Sequence, residues 1–202
     1  MPRFWEIDFL RGIAIIMMIV FHLLWDLKYF NFIQGNIYSG FWGVFQIATA
    51  SLFIFLAGVS LALSFSKHKG HTTPMIGRAG KILGAALGIS LVTFILFPQS
   101  YIYFGILHFI GISILLGIPF ANRKYISLAL GLFVLLLPQF YNLPSLEIFS
   151  LMWVGLATPI PTLDYFSIFP WFGVVLLGIF AGNFFFENGK AKFKIKKPKI
   201  EG

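Results

Sequence analysis

The sequence predicts an all-α integral membrane protein, a bundle of about six transmembrane helices with both termini cytoplasmic and a short re-entrant or interfacial segment before the last helix. Three observations lead there. Hydrophobic residues make up 58% of the 202-residue chain and charged residues only 11%, with a mean hydropathy of +0.88, far beyond a soluble domain. Apolar runs long enough to cross a bilayer recur along the chain. The lysines and arginines fall in alternate connections between those runs.

The first element is Asp8 to Leu27, an apolar run from Gly12 to Phe21 closed by Asp8 and Arg11 on one side and by His22 and Asp26 on the other. At about 1.5 Å per residue it covers roughly 30 Å, the thickness of the hydrocarbon core. Its length, its ionisable end and the lack of a small-residue cleavage site make it a retained span rather than a signal peptide. The second span is about Phe41 to Ser64 and carries Gln46, Thr49 and Ser51 in its first half. The third, about Lys81 to Phe97, follows Gly80 and contains Gly84 and Gly88; this four-residue spacing leaves one face bare, which suits either close packing of another helix or a homodimer through the glycine faces. The fourth, about Tyr101 to Phe120, holds His108, and the fifth, about Tyr125 to Phe140, is almost without polar side chains. The last runs from Trp171 to Phe186 with Gly178 and Gly182. Between the last two, the apolar segment Ile148 to Ala157 is too short to span a bilayer, which takes about 20 residues. Residues 1–189 thus form one transmembrane bundle, and residues 190–202 form a basic tail.

Charge placement fixes the orientation. Lys67, Lys69, Arg78 and Lys81 share one connection, Arg123 and Lys124 another, and Lys190, Lys192, Lys194, Lys196, Lys197 and Lys199 the tail, whereas the alternate connections hold Lys28, Glu147 and Asp164. The positive-inside rule puts both termini in the cytoplasm. The net charge of +8 is then accounted for by segments lying against anionic membrane lipids, and no nucleic-acid partner is implied. The absence of cysteine excludes disulfides, thiolate metal sites and a cysteine nucleophile, and no metal site is expected.

Polar residues inside the spans are the candidates for function. His22 and Asp26 are four residues apart, so on a helix the carboxylate can hold one imidazole nitrogen. His22, Gln46 and His108 all fall roughly 7 to 10 Å below the outer surface by helical rise, with Asp26, Tyr38, Tyr101, Tyr103, Asp164 and Trp171 just above them. That layer predicts a pocket open to the outer face. At the cytoplasmic end Arg11, Arg78, Lys81, Arg123 and Lys124 suit an anionic ligand, and Arg11 lies about 16 Å below His22 on the same helix. A ligand with phosphates and a long thin arm spans that distance. Three readings remain open on these residues: an enzyme with a histidine base, a small transporter or channel whose polar layer coordinates a solute or relays protons, and a structural membrane protein.

Three stretches in order resemble one family. DFLRGIA at residues 8–14 with the following run to His22, FIFLAGVSLALS at 53–64 and GILHFIG at 105–111 are similar to the motifs of heparan-alpha-glucosaminide N-acetyltransferase and its prokaryotic relatives in the transmembrane acyltransferase superfamily. Beyond about Gly117 only Leu177-Gly178 and Ala181-Gly182 are similar. The resemblance implies acyl transfer across a prokaryotic plasma membrane, from acetyl-CoA held on the cytoplasmic side by the basic residues to a hydroxyl or amine, a sugar or glycan acceptor, on the outer face. It implies a histidine catalyst as well. His22 falls where animal members have an asparagine, and the loop Lys28 to Gly40, which holds their catalytic histidine, has none here. Either His22 takes that role, as base or acyl carrier oriented by Asp26, with Gln46, His108, Tyr103 and Trp171 forming the oxyanion or acceptor pocket, or the chemistry is lost.

Overall fold

The computed structural model describes residues 4–140, 148–158, 160–187 and 190–191. Among these residues there are six α-helices: α1 (Trp5–Tyr29), α2 (Gly40–Lys67), α3 (Thr73–Leu96), α4 (Ile106–Gly117), α5 (Lys124–Phe140) and α6 (Ile168–Phe185). Two short strands, Phe186–Glu187 and Lys190–Ala191, pair antiparallel after α6. Four helices, α1, α2, α3 and α6, are long and apolar enough to cross a membrane, and α4 and α5 are shorter apolar helices. The chain is an all-helical integral membrane protein. Glu147, Pro159 and the tail from Lys192 onward lie outside the described residues.

Two helix starts differ from the sequence reading. α3 opens at Thr73 rather than Lys81, with Pro74 in its first turn, where a missing N–H costs nothing. Arg78 and Lys81 therefore ride on a helix instead of in a connection. α4 opens at Ile106 rather than Tyr101, because residues 100–104 are engaged as extended chain: the N–H groups of Leu163 and Phe166 donate to the carbonyls of Ser100 and Phe104 at 2.9 and 3.1 Å. The segment Ile148 to Ala157 contains one 3-10 turn, Phe149–Val154, closed by Gly155 at φ 97°, a left-handed backbone that glycine adopts without strain.

Small residues determine which helices meet. A Cβ on Gly58 would collide with the Val175 carbonyl, one on Gly178 with the Phe55 carbonyl, and one on Gly182 would lie 2.9 Å from the Ala62 Cβ. α2 and α6 thus press backbone to backbone, and α5 closes on the opposite side of α6, where a Cβ on Gly131 would lie 3.1 Å from the Gly173 carbonyl. α4 fills the remaining angle with Phe109 and Ile114, in one buried cluster with Ile54, Val175 and Ile179. α1 leans on α2 through Ile7, Ala14, Leu56 and Val59. α3 leans on α4, where Gly111 receives the Leu83 side chain. α1 sits on α2 and α3 on α4, and a cleft opens between α1 and α3 at the level of Met18 to Trp25 and Ala86 to Ile89.

The two ends of the bundle are set by contacts. The Phe4 and Phe186 rings meet at 4.4 Å and Lys124 lies 4.6 Å over the Phe184 ring, so the starts of α1 and α5 share an end with the close of α6. At the other end Tyr29, the last residue of α1, and Phe97, just past the end of α3, meet edge to face at 6.4 Å. The glycine face of α3 takes no part in this packing. Met75, Ala79 and Ala86 are buried, while nothing lies within 4 Å of a Cβ built on Gly80, Gly84 or Gly88.

Candidate active site

Toward the end where Tyr29 and Phe97 meet, the α1–α3 cleft forms a cavity of about 820 Å³, lined by α1, α2, α3, α4 and the segments that precede α4 and α6. That size matches a small-molecule site. Six of the residues in the polar layer or just above it line it together: His22, Tyr38, Gln46, His108, Asp164 and Trp171. Most of the remaining wall is apolar, including Met18, Phe21, Phe53, Ala86 and Ile89.

The two imidazoles in this cavity are in different states of engagement. His22 Nδ1 lies 2.8 Å from the carbonyl oxygen of Met18, one turn earlier on α1. A carbonyl can only accept, so Nδ1 carries the proton and Nε2 keeps its lone pair. The ring is exposed at the cavity, with its basic nitrogen free. His108 is the converse. Its Nδ1 accepts the backbone N–H of Gly105 at 3.3 Å, which puts the ring proton on Nε2. That nitrogen donates to Ser90 Oγ at 3.2 Å, and the Ser90 hydroxyl donates to the Ile102 carbonyl at 2.6 Å. Both nitrogens of His108 are therefore spent on tying the start of α4 to α3, and no N–H is left for an oxyanion.

Asp164 enters as a residue that the reading of spans placed near the layer without giving it a role. The extended segment around it is laid against residues 100–104, and Thr162 Oγ1 donates to the Tyr101 carbonyl at 2.8 Å. This presents the Asp164 carboxylate to the start of α4, where Oδ2 accepts the Ile106 N–H at 2.7 Å. The helix has glycine at its N-cap, so a carboxylate from elsewhere supplies the missing cap. Gly105 is needed there because a Cβ would fall on that carboxylate. Burial pushes the Asp164 carboxyl above its ordinary value of 3.8, against the downward pull of the Ile106 N–H, the charge of His22 and the Tyr165 N–H. The sequence signal was an acid inside the apolar stretch TLDYFSIF.

Other expected partners fall elsewhere. Asp26 is exposed and is not part of the cavity wall; the imidazole nitrogen it was expected to hold is bonded to Met18 instead. One helical turn places the i−4 carbonyl within reach as well as the i+4 side chain, and the carbonyl carries no entropy cost. Tyr103 packs its ring on Phe149 at 4.6 Å, outside the cavity wall. Gln46 and Trp171 lie in the wall as the layer argument expects.

The basic residues divide into two groups. Arg11 donates to Asp8 at 2.8 Å and to Ser60 Oγ at 2.7 Å, and its charge acts on Arg78 of α3. The two guanidinium groups thus stand toward the same end of α1 and α3, with Lys81 exposed one turn further on α3. Like charges on neighbouring helices repel, which an anion bound to both would relieve. From Arg11 to Met18, and from Arg78 to Ala86, the helical rise is about 10 to 12 Å. Arg123 and Lys124 stand at the start of α5 instead, where Lys124 lies over the Tyr125 and Phe184 rings at 5.0 and 4.6 Å. Neither is part of the cavity wall.

A family model described as heparan-alpha-glucosaminide N-acetyltransferase, catalytic, matches residues 3–201, essentially the whole chain. No curated protein and no solved structure matches it.

Proposed function

The chain belongs to the family of heparan-alpha-glucosaminide N-acetyltransferase catalytic domains, and from that premise we propose that it moves an acyl group, acetyl in the first instance, from acyl-CoA to a hydroxyl or amine of a sugar or glycan. The observation that carries this reading is the free Nε2 of His22, fixed by the Met18 carbonyl and turned to the cavity. The donor set suits acetyl-CoA: Arg11 and Arg78, on the two helices that bound the cavity, suit its phosphates, and the rise of about 10 to 12 Å along those helices from the arginines to the cavity wall suits a thin arm that carries the thioester there.

In this reading the acceptor lies in the cavity against Gln46, Tyr38 and Trp171. His22 Nε2 takes the acceptor's proton as the oxygen or nitrogen attacks the thioester carbonyl, and the side-chain amide of Gln46 donates to the oxyanion, an interaction worth about 3 to 4 kcal/mol in such sites. An acyl group carried covalently on His22 is the variant of the same geometry. In this reading, which the positive-inside pattern supports, the arginine end and both termini are cytoplasmic and the His22 end is outside, in a bundle of six spans in a prokaryotic plasma membrane. The bare glycine face of α3 suits a second copy of the chain.

The test uses purified protein in detergent with acetyl-CoA and amino-sugar or hydroxyl-sugar acceptors. Acetylated product together with a rise in melting temperature on adding acetyl-CoA is expected. No thermal shift and no product from any acceptor would overturn the proposal, and proton-coupled flux in liposomes without acyl transfer would favour a transporter.

A further inference from the structure

We propose that the Asp164 carboxylate is the counter-charge for the imidazolium that forms on His22, and that it acts on the reaction through that ring. The proposal rests on the acyl-transfer reading for its step and on the cavity for its geometry.

Elimination identifies the pair. The titratable residues of the cavity wall are His22, Tyr38, His108, Asp164 and Tyr165. α2 and α3 contribute none to it. His108 has both ring nitrogens engaged. The Tyr38 hydroxyl accepts Trp25 Nε1–H at 2.8 Å, and the Tyr165 hydroxyl donates to the Met152 carbonyl at 2.6 Å. His22 is therefore the group in this wall that can gain a positive charge, and Asp164 is the acid. The two line the same cavity. Asp26 lies one turn beyond His22 on its own helix and is not in the wall. The carboxylate is held in place by the start of α4 through the Ile106 N–H at 2.7 Å, so it meets the developing charge without reorganising.

The charge balance calls for such a partner. As the acceptor attacks, an O–C or N–C bond forms and the acceptor proton passes to His22 Nε2. The tetrahedral adduct then collapses, the C–S bond breaks, and the same proton passes from His22 to the departing thiolate. Between the two transfers the ring is cationic in an apolar cavity, where an unpaired charge is costly. Asp164 is a positioning residue in this scheme; its carboxylate touches neither substrate nor the proton in flight.

The experiment is Asp164→Asn, which keeps an oxygen for the Ile106 N–H and removes the charge; Asp164→Ser, whose hydroxyl also caps, replaces it if the amide variant does not fold. The first readout needs no enzyme activity. Carbethoxylation of His22 by diethyl pyrocarbonate, followed by peptide mass spectrometry against pH, reports the neutral ring. Loss of the carboxylate should move the midpoint down by about one pH unit, a tenfold change in proton affinity. The second readout is acyl transfer: the plateau rate should fall about tenfold or more, the acid limb of the pH profile should move to lower pH, and the variant should have no further effect in a His22→Ala background. A midpoint that does not move in a variant that folds and melts cooperatively overturns the proposal. A midpoint that moves in a protein without acyl transfer upholds the pair and removes the transferase reading instead.

Discussion

The pairs α2–α6 and α1–α3 are equally apolar yet built to opposite ends. Their most apolar stretches have mean hydropathies of 2.1 and 1.9 in both pairs, but 56% and 39% of those residues are buried in α2 and α6 against 11% in each of α1 and α3. Hydropathy therefore places a helix in the bilayer without saying what it touches. In lipid the neighbours are chosen by shape, and shape is supplied here by glycines at matching heights on both helices. Gly58 faces the Val175 carbonyl, and Gly178 faces the Phe55 carbonyl. α1 and α3 have no such match; His22 lines the cleft between them, and Arg11 and Arg78 stand on the same two helices. A tightly packed half positions a sparsely packed half, and the proposed site lies in the second.

The largest effect should come from swapping the two kinds of glycine. Gly178→Leu drives a side chain into the Phe55 backbone and should abolish monodisperse folded protein in size-exclusion chromatography, since backbone overlap of this kind has no rotamer escape. Gly84→Leu, where a Cβ meets nothing within 4 Å, should leave the melting temperature within a few degrees and convert a dimer to a monomer if a second copy docks on α3. Equal damage from both would erase the distinction between the pairs.

Chemistry and stability should separate the other way in the cleft. His22→Ala removes an exposed ring whose one hydrogen bond is to its own helix, so melting should be unchanged while acyl transfer falls by about 10²- to 10⁴-fold, the usual contribution of a general base. Turnover that survives would remove His22 as the base. A smaller loss is expected toward the other end of α1 and α3. Arg78→Gln deletes one of the two guanidiniums there and should raise KM for acyl-CoA about tenfold, the worth of one charge-assisted hydrogen bond, with kcat little altered. The same change at Arg123, away from the cleft, should move KM less.

How much of this was legible in the sequence depends on the interaction involved. The membrane class and the polar layer follow from hydropathy and helical rise, because both are local quantities; His22, Gln46, His108 and Trp171 do line one cavity. The start of α4 was misplaced because residues 101–105 are apolar enough for a helix but are claimed by a partner segment sixty residues away, and no local pattern shows that claim. Asp26 looked like the orienter of His22 because spacing reveals side chains but not the competing Met18 carbonyl. His108 looked like a free donor for the same reason: its partners, Gly105 N–H and Ser90 Oγ, come from the turn before it and from another helix. Arg123 and Lys124 share a face with Arg11 by topology alone, and packing puts α5 on α6 instead.

The smallest effect is the most diagnostic of how dry the sparsely packed half is. Burial lifts the Asp164 carboxyl in the folded protein above its ordinary 3.8. Below 3.8 both folded and unfolded chains hold that proton, and the carboxyl costs the fold nothing. As pH rises, the unfolded chain gives up the proton first. The folded protein then loses stability until the pH has passed the folded value, because over that interval it binds more protons than the unfolded chain. Asp164→Asn cannot titrate, so its melting temperature minus that of the wild type should climb by a few degrees as pH rises above 4, and level once the pH has passed the folded value. The variant gains stability at neutral pH while losing rate, as expected where a charge is kept in an unfavourable place for its effect on a neighbour. A flat difference would mean that water reaches the carboxylate and that the cavity at the top of the α1–α3 cleft is no drier than the solvent around it.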